Sequence, residues 1–311
     1  MMHCTTQNSV QPELVSPLVV AAHDAGATNL IIGWLRRRRD LEVRTCLDGP
    51  AVDLWATAFG KPLLVSPTDA LRGAAGLLSG TSFASDLEHK ARALAKEHGI
   101  HSIGVIDHWV NYVERFLRAG SRVLPNEIWV ADEDALTTAA ACFPGIAIRQ
   151  QPNFYLADLV AQVRKNERKI TSTAVRRVLY ALEPIRHAWT GSSIEGEFQA
   201  LDYFVQYASK LDLDGTAEIR LRPHPSDPPR KYNSWLTQHA NWNIRIDMEA
   251  NLAQSIAWAD TVVGCETYVL VVALAAGRQV VSTLPPYAPR CRLPMKEIIH
   301  LRDLISPNIS C

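Results

Sequence analysis

The sequence predicts an α/β protein made of two domains, each with a parallel sheet between layers of helices. Two observations indicate this class. Short apolar segments alternate with helix-like segments, and the alternation stops at the charged stretch 162–177 and then restarts. Strands covered by helices on both faces are apolar along their whole length, as these segments are. The 311 residues suffice for two domains, which we place at residues 1–165 and 166–311, with the charged stretch as linker.

Each predicted element has its own apolar pattern. The predicted strands of the first domain are PLVVAAH, EVRTCLD, PLLVS, GLLSGTS, SIGVIDH and EIWVAD. Its main predicted helices are ATNLIIGWLRRRR, AVDLWATAF and DLEHKARALAKEHG. The predicted strands of the second domain are RVLYALEP, AEIRLRP, NIRID, TVVGC and QVVSTLP. Its predicted helices are GEFQALDYFVQYASKL, NLAQSIAWA and TYVLVVALAAG.

Composition excludes several classes of function. Lys and Arg together equal Asp and Glu, 32 each, so nothing draws the whole chain to nucleic acid. Apolar runs are shorter than the roughly 20 residues of a membrane helix, and the N-terminus lacks a signal-peptide pattern. Six scattered cysteines without a CxxC pair argue against a zinc site or disulfide framework and favour the cytoplasm. The run Arg36–Arg39 either complements a helix C-terminus or contacts anionic lipid at the inner face of a membrane.

Polar residues follow three predicted strands of the first domain. They are His23, Asp24, Gly26, Thr81, Ser82, Asp107 and His108. Ligands of open α/β sheets bind at the carboxyl ends of the strands, so we expect these residues in a cleft between the domains. His23, Gly26, Thr81, Ser82 and His108 would form an acceptor or phosphate loop.

Asp24 and Asp107 are the two candidate general bases for a sugar hydroxyl, and the pattern does not choose between them. Simpler roles stay open: Asp24 caps a helix, Thr81 and Ser82 serve a turn, and Trp109 packs on the sheet.

The second domain has its own set of strand-end residues. They are Glu183, Arg222, His224, Gly264, Cys265, Glu266 and Thr267. Prolines on both sides fix the backbone of His224, and a protonated imidazole there would stabilise a leaving phosphate. Gly264 allows a close approach, Thr267 and the following helix N-terminus offer donors to phosphate, and Glu266 could accept two hydroxyls. The alternative for Glu266 is an acidic residue that stabilises the first helical turn.

Three segments carry a resemblance to GT-B type glycosyltransferases of bacterial surface polysaccharide synthesis. RPHPSD resembles the His-Pro motif of sialyltransferases and polysialyltransferases, and ADTVVGCETYVLVVALAAGRQVV resembles the donor-binding segment of GT-B enzymes. HDAGATNLI and DHWVNYVERF resemble segments of surface-polysaccharide transferases.

The resemblance implies two Rossmann-like domains, the first binding the acceptor and the second the donor. It assigns the donor phosphate to His224, donor hydroxyls to Glu266, and the base to an acid of the first domain. Cys265 and Thr267 stand where sialyltransferases carry a serine-rich motif, so the donor stays open among a CMP-sugar, an NDP-sugar and phosphoribosyl pyrophosphate. The acceptor would be a glycan or glycolipid, as in capsule or O-antigen assembly.

The leading hypothesis is a metal-independent glycosyl or phosphoribosyl transferase without a cofactor. The nearest acidic motif to a metal-binding DxD is residues 132–134, which we interpret as a helix start. A sugar-nucleotide epimerase of the same fold and a non-catalytic sugar-binding protein are the alternatives.

Overall fold

A computed structural model describes residues 13–167, 175–189 and 191–305. The chain divides into two compact units, Met1–Tyr155 and Leu156–Cys311. Each unit contains one six-stranded sheet in which all paired strands run parallel. Two parallel-sheet α/β domains are the fold class that the sequence predicts. The acceptor and donor roles given to them stay predictions.

Unit 1 has its strands in the order β2-β1-β3-β4-β7-β8, beside a small antiparallel hairpin of β5 and β6. The strands are β1 Leu18–Ala22, β2 Val43–Leu47, β3 Gly76–Ser79, β4 His101–Val105, β5 Leu117–Arg118, β6 Ser121–Arg122, β7 Glu127–Val130 and β8 Ala147–Gln150. The helices are α1 Ala25–Leu35, α2 Pro50–Phe59, α3 Pro67–Leu71, α4 Leu87–Glu97, α5 Glu133–Cys142 and α6 Phe154–Asn166. The boundary between the units falls inside α6.

The centre of unit 1 is buried on both faces of its sheet. All five residues of β1 are buried, as a central strand requires when helices cover both faces. Trp34 of α1 is fully buried, packs edge-on against Trp129 of β7 at 5.3 Å, and donates its indole N–H to the carbonyl of Pro152. These contacts fix α1 on the sheet, so the residues before α1 have a defined position at the strand ends.

Unit 2 repeats the architecture with the order β11-β10-β9-β12-β13-β14. Its strands are β9 Arg177–Ala181, β10 Glu218–Arg222, β11 Ile244–Ile246, β12 Thr261–Gly264, β13 Gln279–Ser282 and β14 Ile299–His300. Its helices are α7 Gly196–Gln206, α8 Asn233–Gln238, α9 Leu252–Trp258, α10 Tyr268–Ala275 and α11 Leu301–Ile305. Tyr180 is buried against Phe204, and its hydroxyl forms a 2.7 Å hydrogen bond with Thr283.

The predicted strand PLLVS is wrong. Leu63 and Leu64 are exposed, and the segment makes one isolated bridge, from Leu64 to Thr45. A five-residue apolar run does not show by itself whether other elements of the fold cover it, so its composition alone is not enough to predict a strand. Two edge strands were missed, β8 and β14. The sequence of β8, AIRQ, is largely exposed, so it lacks the apolar signal on which the prediction relied.

The basic run at the end of α1 makes local contacts. Arg37 donates to the carbonyl of Gly33, which lies in the last part of the helix, and its guanidinium covers the ring of Phe154. Arg38 forms an ion pair with Asp40 at 2.9 Å. These contacts fit the helix-end interpretation of the run, and contact with lipid stays a prediction.

Within the described ranges, no helix is long and apolar enough to cross a membrane. The predicted linker lies partly in α6, and its residues 168–174 fall outside the described part of the chain.

Candidate functional site

All the candidate residues of unit 1 follow three adjacent strands. The chain runs from β1 to β2 on one side of β1, and then from β2 to β3 on the other side of β1, so the strand order reverses between β1 and β3. Such a switch point is where open α/β sheets bind ligands. The predicted site residues here are His23, Asp24 and Gly26 after β1, Thr81 and Ser82 after β3, and Asp107 and His108 after β4.

His23 and Asp24 form a hydrogen-bonded pair. The Nδ1 atom of His23 lies 2.7 Å from Oδ1 of Asp24, and 15% of the histidine side chain is exposed against 43% of the aspartate. An ionised carboxylate can only accept, so this contact places the imidazole proton on Nδ1 and leaves Nε2 with a free lone pair. Ser82 Oγ lies 3.3 Å from the same Nδ1.

Gly49 leaves the space that the other ring nitrogen requires. A β-carbon at this position would lie 2.5 Å from Nε2 of His23, and its φ of 53° is in the left-handed region that favours glycine. Any other residue would cover the basic nitrogen of the pair.

Asp107 is held on two sides. Its Oδ1 accepts from Arg115 at 2.9 Å, and the same Arg115 nitrogen lies 3.3 Å from Oγ1 of Thr81. Its other oxygen lies against the first turn of α1, where Gly26 provides the room. Thr81 donates to the carbonyl of Val105. The carboxylate of Asp107 is therefore part of an ion pair, whereas that of Asp24 contacts a histidine and solvent.

His108 and Trp109 continue from the end of β4. Their rings lie 5.4 Å apart, and the indole N–H of Trp109 donates to both carboxylate oxygens of Asp132. Asp132 also accepts from the backbone N–H of Ala135 and begins α5. The interpretation of residues 132–134 as a helix start is confirmed, and Trp109 packs, partly buried, against the apolar cluster that includes Ile128.

Glu88 was missed in the sequence. It is almost fully buried in α4, and its two oxygens accept the backbone N–H groups of His23 at 3.0 Å and Ser82 at 2.7 Å. Burial is the main cause that raises the pKa of this carboxyl to about 7. A β-carbon on Gly80 would lie 2.4 Å from the glutamate. Glu88 therefore joins the two loops that carry the candidate residues. Its only sequence signal was an acid in the first turn of a helix.

The strand ends of unit 2 also meet at a switch point. The strand order reverses between β9 and β12. Glu183 follows β9, and its Oε1 accepts the backbone N–H groups of Cys265 at 3.0 Å, Glu266 at 2.8 Å and Thr267 at 2.9 Å. Thr267 caps α10 through its side chain. The helix N-terminus that was predicted to offer donors to phosphate thus holds a carboxylate of the chain itself.

The surroundings of Glu183 are apolar and acidic. Burial raises its pKa to about 7, the three N–H groups oppose that shift, and the charge of Glu266 adds to it. Cys265 is buried, and burial raises the pKa of its thiol well above the usual range. A β-carbon on Gly264 would lie 3.0 Å from the carbonyl oxygen of Ala181. The close approach that this glycine permits is to the neighbouring strand.

Glu266 forms an ion pair with Arg292. One oxygen accepts from the backbone N–H of Arg292 at 3.2 Å and from its Nε at 3.1 Å, and the other accepts from a terminal guanidinium nitrogen. Both oxygens that were predicted to accept sugar hydroxyls are thus engaged by a partly exposed arginine.

The loop after β10 presents His224 in a defined tautomer. Its Nδ1 accepts the backbone N–H of Ser226 at 3.2 Å and lies 2.8 Å from the hydroxyl of the same residue. The proton of the neutral ring is then on Nε2. Burial lowers the pKa of His224, and Asp227 opposes that change. The sequence predicts a protonated imidazole; the contacts of Nδ1 and the lowered pKa favour a neutral ring that donates through Nε2.

Asp227 anchors this loop. It accepts the backbone N–H of His224 at 2.9 Å and the hydroxyl of Tyr232 at 2.9 Å, and it pairs with Arg186 at 2.7 Å. Its side chain is 1% exposed. Its one signal in the sequence is its place at the end of RPHPSD.

Glu197 belongs to the same ion-pair network as Asp227. It is equally buried and binds Arg186 and Lys231. The network was not predicted, because its members are far apart in the chain.

Arg222 points into a different network. Its guanidinium donates to Asp247 at 2.6 Å, to Ser255 at 2.8 Å and to the carbonyl of Glu249 at 3.2 Å. These contacts hold one nitrogen of Arg222 within unit 2, and its role in donor binding stays a prediction. In the described part of the chain, no group of three or more His, Cys, Asp or Glu side chains is arranged to hold a metal ion.

Solved structures resemble this chain, although no protein-family model and no curated protein matches it. UDP-GlcNAc 2-epimerase from Neisseria meningitidis, bound to UDP-GlcNAc, has a TM-score of 0.57 at 12% identity, over 85% of this chain and 81% of its own. A putative UDP-N-acetylglucosamine 2-epimerase from Listeria monocytogenes has a TM-score of 0.56 at 12% identity, over 86% of this chain and 79% of its own. The MnaA–UDP co-structure from S. aureus has a TM-score of 0.56 at 9% identity, over 85% of this chain and 78% of its own. The likeness establishes the fold, two Rossmann-like α/β domains of the GT-B type.

Proposed function

We propose that the chain is a metal-independent enzyme that transfers a sugar or phosphoribosyl unit from a phosphate-activated donor to a glycan or glycolipid. The observation that carries this proposal is the hydrogen bond between His23 and Asp24 at the switch point of unit 1. It fixes an imidazole with its basic nitrogen free, which is what deprotonation of an acceptor hydroxyl requires.

The proposed chemistry uses His23 as the base and Asp24 as its partner. Nε2 of His23 takes the proton of the acceptor hydroxyl while the hydroxyl oxygen attacks the anomeric carbon of the donor. Asp24 stabilises the imidazolium that forms. Asp107, the other candidate base, is paired with Arg115, so the geometry favours Asp24 acting through His23.

In this proposal the residues of unit 2 bind and stabilise the leaving phosphate. The bond from the anomeric carbon to the phosphate oxygen breaks through an oxocarbenium-like state, and charge develops on the phosphate. His224 donates from Nε2, and Thr267 and the first turn of α10 supply further donors. The remaining residues that we assign to donor binding are Arg222, Gly264, Cys265 and Glu266.

A nucleotide sugar is the donor class with most support. One of the similar solved structures is bound to UDP-GlcNAc and another to UDP. CMP-sugars and phosphoribosyl pyrophosphate remain in the set of donors to be tested.

Epimerisation of a nucleotide sugar is the second candidate. It is favoured by the solved structures just named, two of which are described as UDP-GlcNAc 2-epimerases. An epimerase would use the same nucleotide site but would need no acceptor. The two functions therefore differ in whether the nucleotide sugar alone is converted.

The first experiment is thermal stabilisation by CMP, UDP and GDP, by their sugars, and by phosphoribosyl pyrophosphate. A ligand at about 100 times its dissociation constant adds about 2.7 kcal/mol to stability. The ligand that stabilises is then incubated with the protein alone and with glycan acceptors. Release of nucleotide that depends on acceptor supports transfer, and an epimer formed without acceptor supports the second candidate.

The variants His23→Gln and Asp24→Asn test the base, with Asp40→Asn as matched control, because Asp40 pairs with Arg38 at the surface. We expect turnover to fall by about 10²-fold or more in His23→Gln and to be unchanged in the control. Unchanged turnover in His23→Gln would contradict the proposed base, and no stabilisation by any ligand would contradict the substrate class.

A further inference from the structure

We propose that Glu183 occupies the position in unit 2 that a donor phosphate would take, so that phosphate binds there only in exchange for this carboxylate. The inference deepens the proposed function and rests on it, because it concerns a phosphate-bearing donor. It makes Glu183 a residue that sets donor affinity by competition.

Three backbone N–H groups converge on one oxygen of Glu183. The N–H groups of Cys265, Glu266 and Thr267 lie 3.0, 2.8 and 2.9 Å from Oε1. They precede α10, an eight-residue helix whose N-terminus adds a partial positive charge. This is the set of donors that a phosphate oxygen receives at the start of a helix. The occupant in this structure is itself an anionic group of the chain.

A phosphate cannot share these donors with the carboxylate. Each N–H group supplies one hydrogen, and the three are already directed at Oε1. A phosphate beside Glu183 would also face its negative charge in a poorly solvated position, where like charges repel strongly. Binding of phosphate at this position therefore requires that the glutamate side chain leaves it.

The charged groups around Glu183 make its contact replaceable. Glu266 adds repulsion, and Arg292, which could offset it, is bound to Glu266. Cys265, which follows β12, and Tyr180 of β9 both interact with Glu183, and both are neutral at physiological pH because burial raises their pKa values. Desolvation raises the pKa of Glu183 to about 7. Part of the N–H binding energy is thus offset by the cost of a buried charge.

The competition has a simple consequence for affinity. If the position is free in only a fraction of molecules, the apparent dissociation constant of an anion is its intrinsic value divided by that fraction. Removal of the carboxylate frees the position in all molecules. A variant without Glu183 should therefore bind a phosphate probe more tightly than the wild type.

The test is calorimetric titration with inorganic pyrophosphate at pH 8. We compare the wild type with Glu183→Ala, which frees the N–H groups, and with Glu183→Gln, which keeps an acceptor but no charge. Asp212→Asn is the matched control, since Asp212 is an exposed acid before β10 in a left-handed conformation that asparagine tolerates. We expect about tenfold or greater tightening in Glu183→Ala, a smaller gain in Glu183→Gln, and no change in the control.

Equal or weaker pyrophosphate binding in both Glu183 variants would overturn the proposal. Circular dichroism and the thermal midpoint establish that the variants are folded, and if Glu183→Ala does not fold, Glu183→Gln decides. The proposed function fails separately. If the Glu183 variants bind pyrophosphate more tightly but no nucleotide sugar binds to the protein, the proposed exchange at Glu183 is supported and the proposed donor class is contradicted. If a nucleotide sugar binds but the Glu183 variants show no gain in pyrophosphate affinity, only the proposed exchange at Glu183 is contradicted.

Discussion

Gly26 and Asp107 are in direct contact. A β-carbon on Gly26 would lie 1.7 Å from Oδ2 of Asp107, which is less than any non-bonded distance. The glycine lies in the first turn of α1, and the carboxylate follows β4. Oδ1 of the same carboxylate pairs with Arg115 at 2.9 Å. The absence of a side chain at residue 26 thus allows an acid from another strand to lie against a helix N-terminus.

Gly26→Ala should therefore displace Asp107 and destabilise the chain by about 1–3 kcal/mol, as forced overpacking does. Urea denaturation measures the change. The matched experiment is a double-mutant cycle with Asp107→Ala, because removal of the carboxylate relieves the clash. We expect Gly26→Ala to cost much less in the Asp107→Ala background. Additive costs in the cycle would show that the two residues do not interact.

Glu88 gives the stability of the chain a defined pH dependence. Burial raises its pKa from 4.5 to about 7 in the folded state. Between these values the folded chain holds a proton that the unfolded chain has released, so the free energy of unfolding falls as pH rises from about 4.5 to 7. The loss approaches about 3 kcal/mol for a shift of this size.

The comparison with Glu88→Gln isolates this group, because glutamine does not titrate and all other acids are shared. The wild type should lose up to about 3 kcal/mol relative to the variant between pH 4.5 and 8, measured by urea denaturation. A difference that stays constant over this range would mean that the pKa of Glu88 is the same in the folded and unfolded chain.

The positions of most candidate residues followed from the sequence, because strand ends can be read from apolar runs. His23, Asp24, Thr81, Ser82 and Asp107 were selected for following such runs, and the structure brings them to one edge of the sheet. The parallel pairing of β1, β3 and β4 is what converts separate positions in the chain into neighbours.

The contacts among these residues did not follow from the sequence. Glu183 and the N–H groups of Cys265–Thr267 are about 80 residues apart, and their meeting depends on β9 and β12 being neighbours. The same holds for Arg292 on Glu266 and for Arg186 on Asp227. Sequence patterns indicate which face of an element is covered, but they do not show which polar partner a long side chain finds.

Asp227 should be more important for stability than its hydroxyl partner. Asp227→Asn removes a buried negative charge that pairs with Arg186 and Lys231, so we expect a cost of about 3 kcal/mol. Tyr232→Phe removes one hydrogen bond to the same carboxylate and should cost about 1 kcal/mol. Urea denaturation of both variants provides the comparison. Equal costs would mean that the ion pairs of Asp227 contribute nothing beyond a single hydrogen bond.

His224 should act through one nitrogen only. Its Nδ1 is engaged by Ser226, so Nε2 is the atom left to donate to a phosphate. The amide of Gln at this position reaches about where Nε2 lies, whereas that of Asn reaches about where Nδ1 lies. Calorimetric titration with UDP should therefore give His224→Gln an affinity close to that of the wild type, because the amide keeps a donor to the phosphate.

His224→Asn and His224→Ala should both bind UDP about tenfold more weakly, because neither presents a donor at the position of Nε2. Ser226→Ala is the control for the tautomer. It removes the hydroxyl but keeps the backbone N–H that binds Nδ1, so its affinity for UDP should match that of the wild type. If His224→Asn bound UDP as well as His224→Gln did, the imidazole would not contact the phosphate through Nε2, and the loop after β10 would serve only the packing of unit 2.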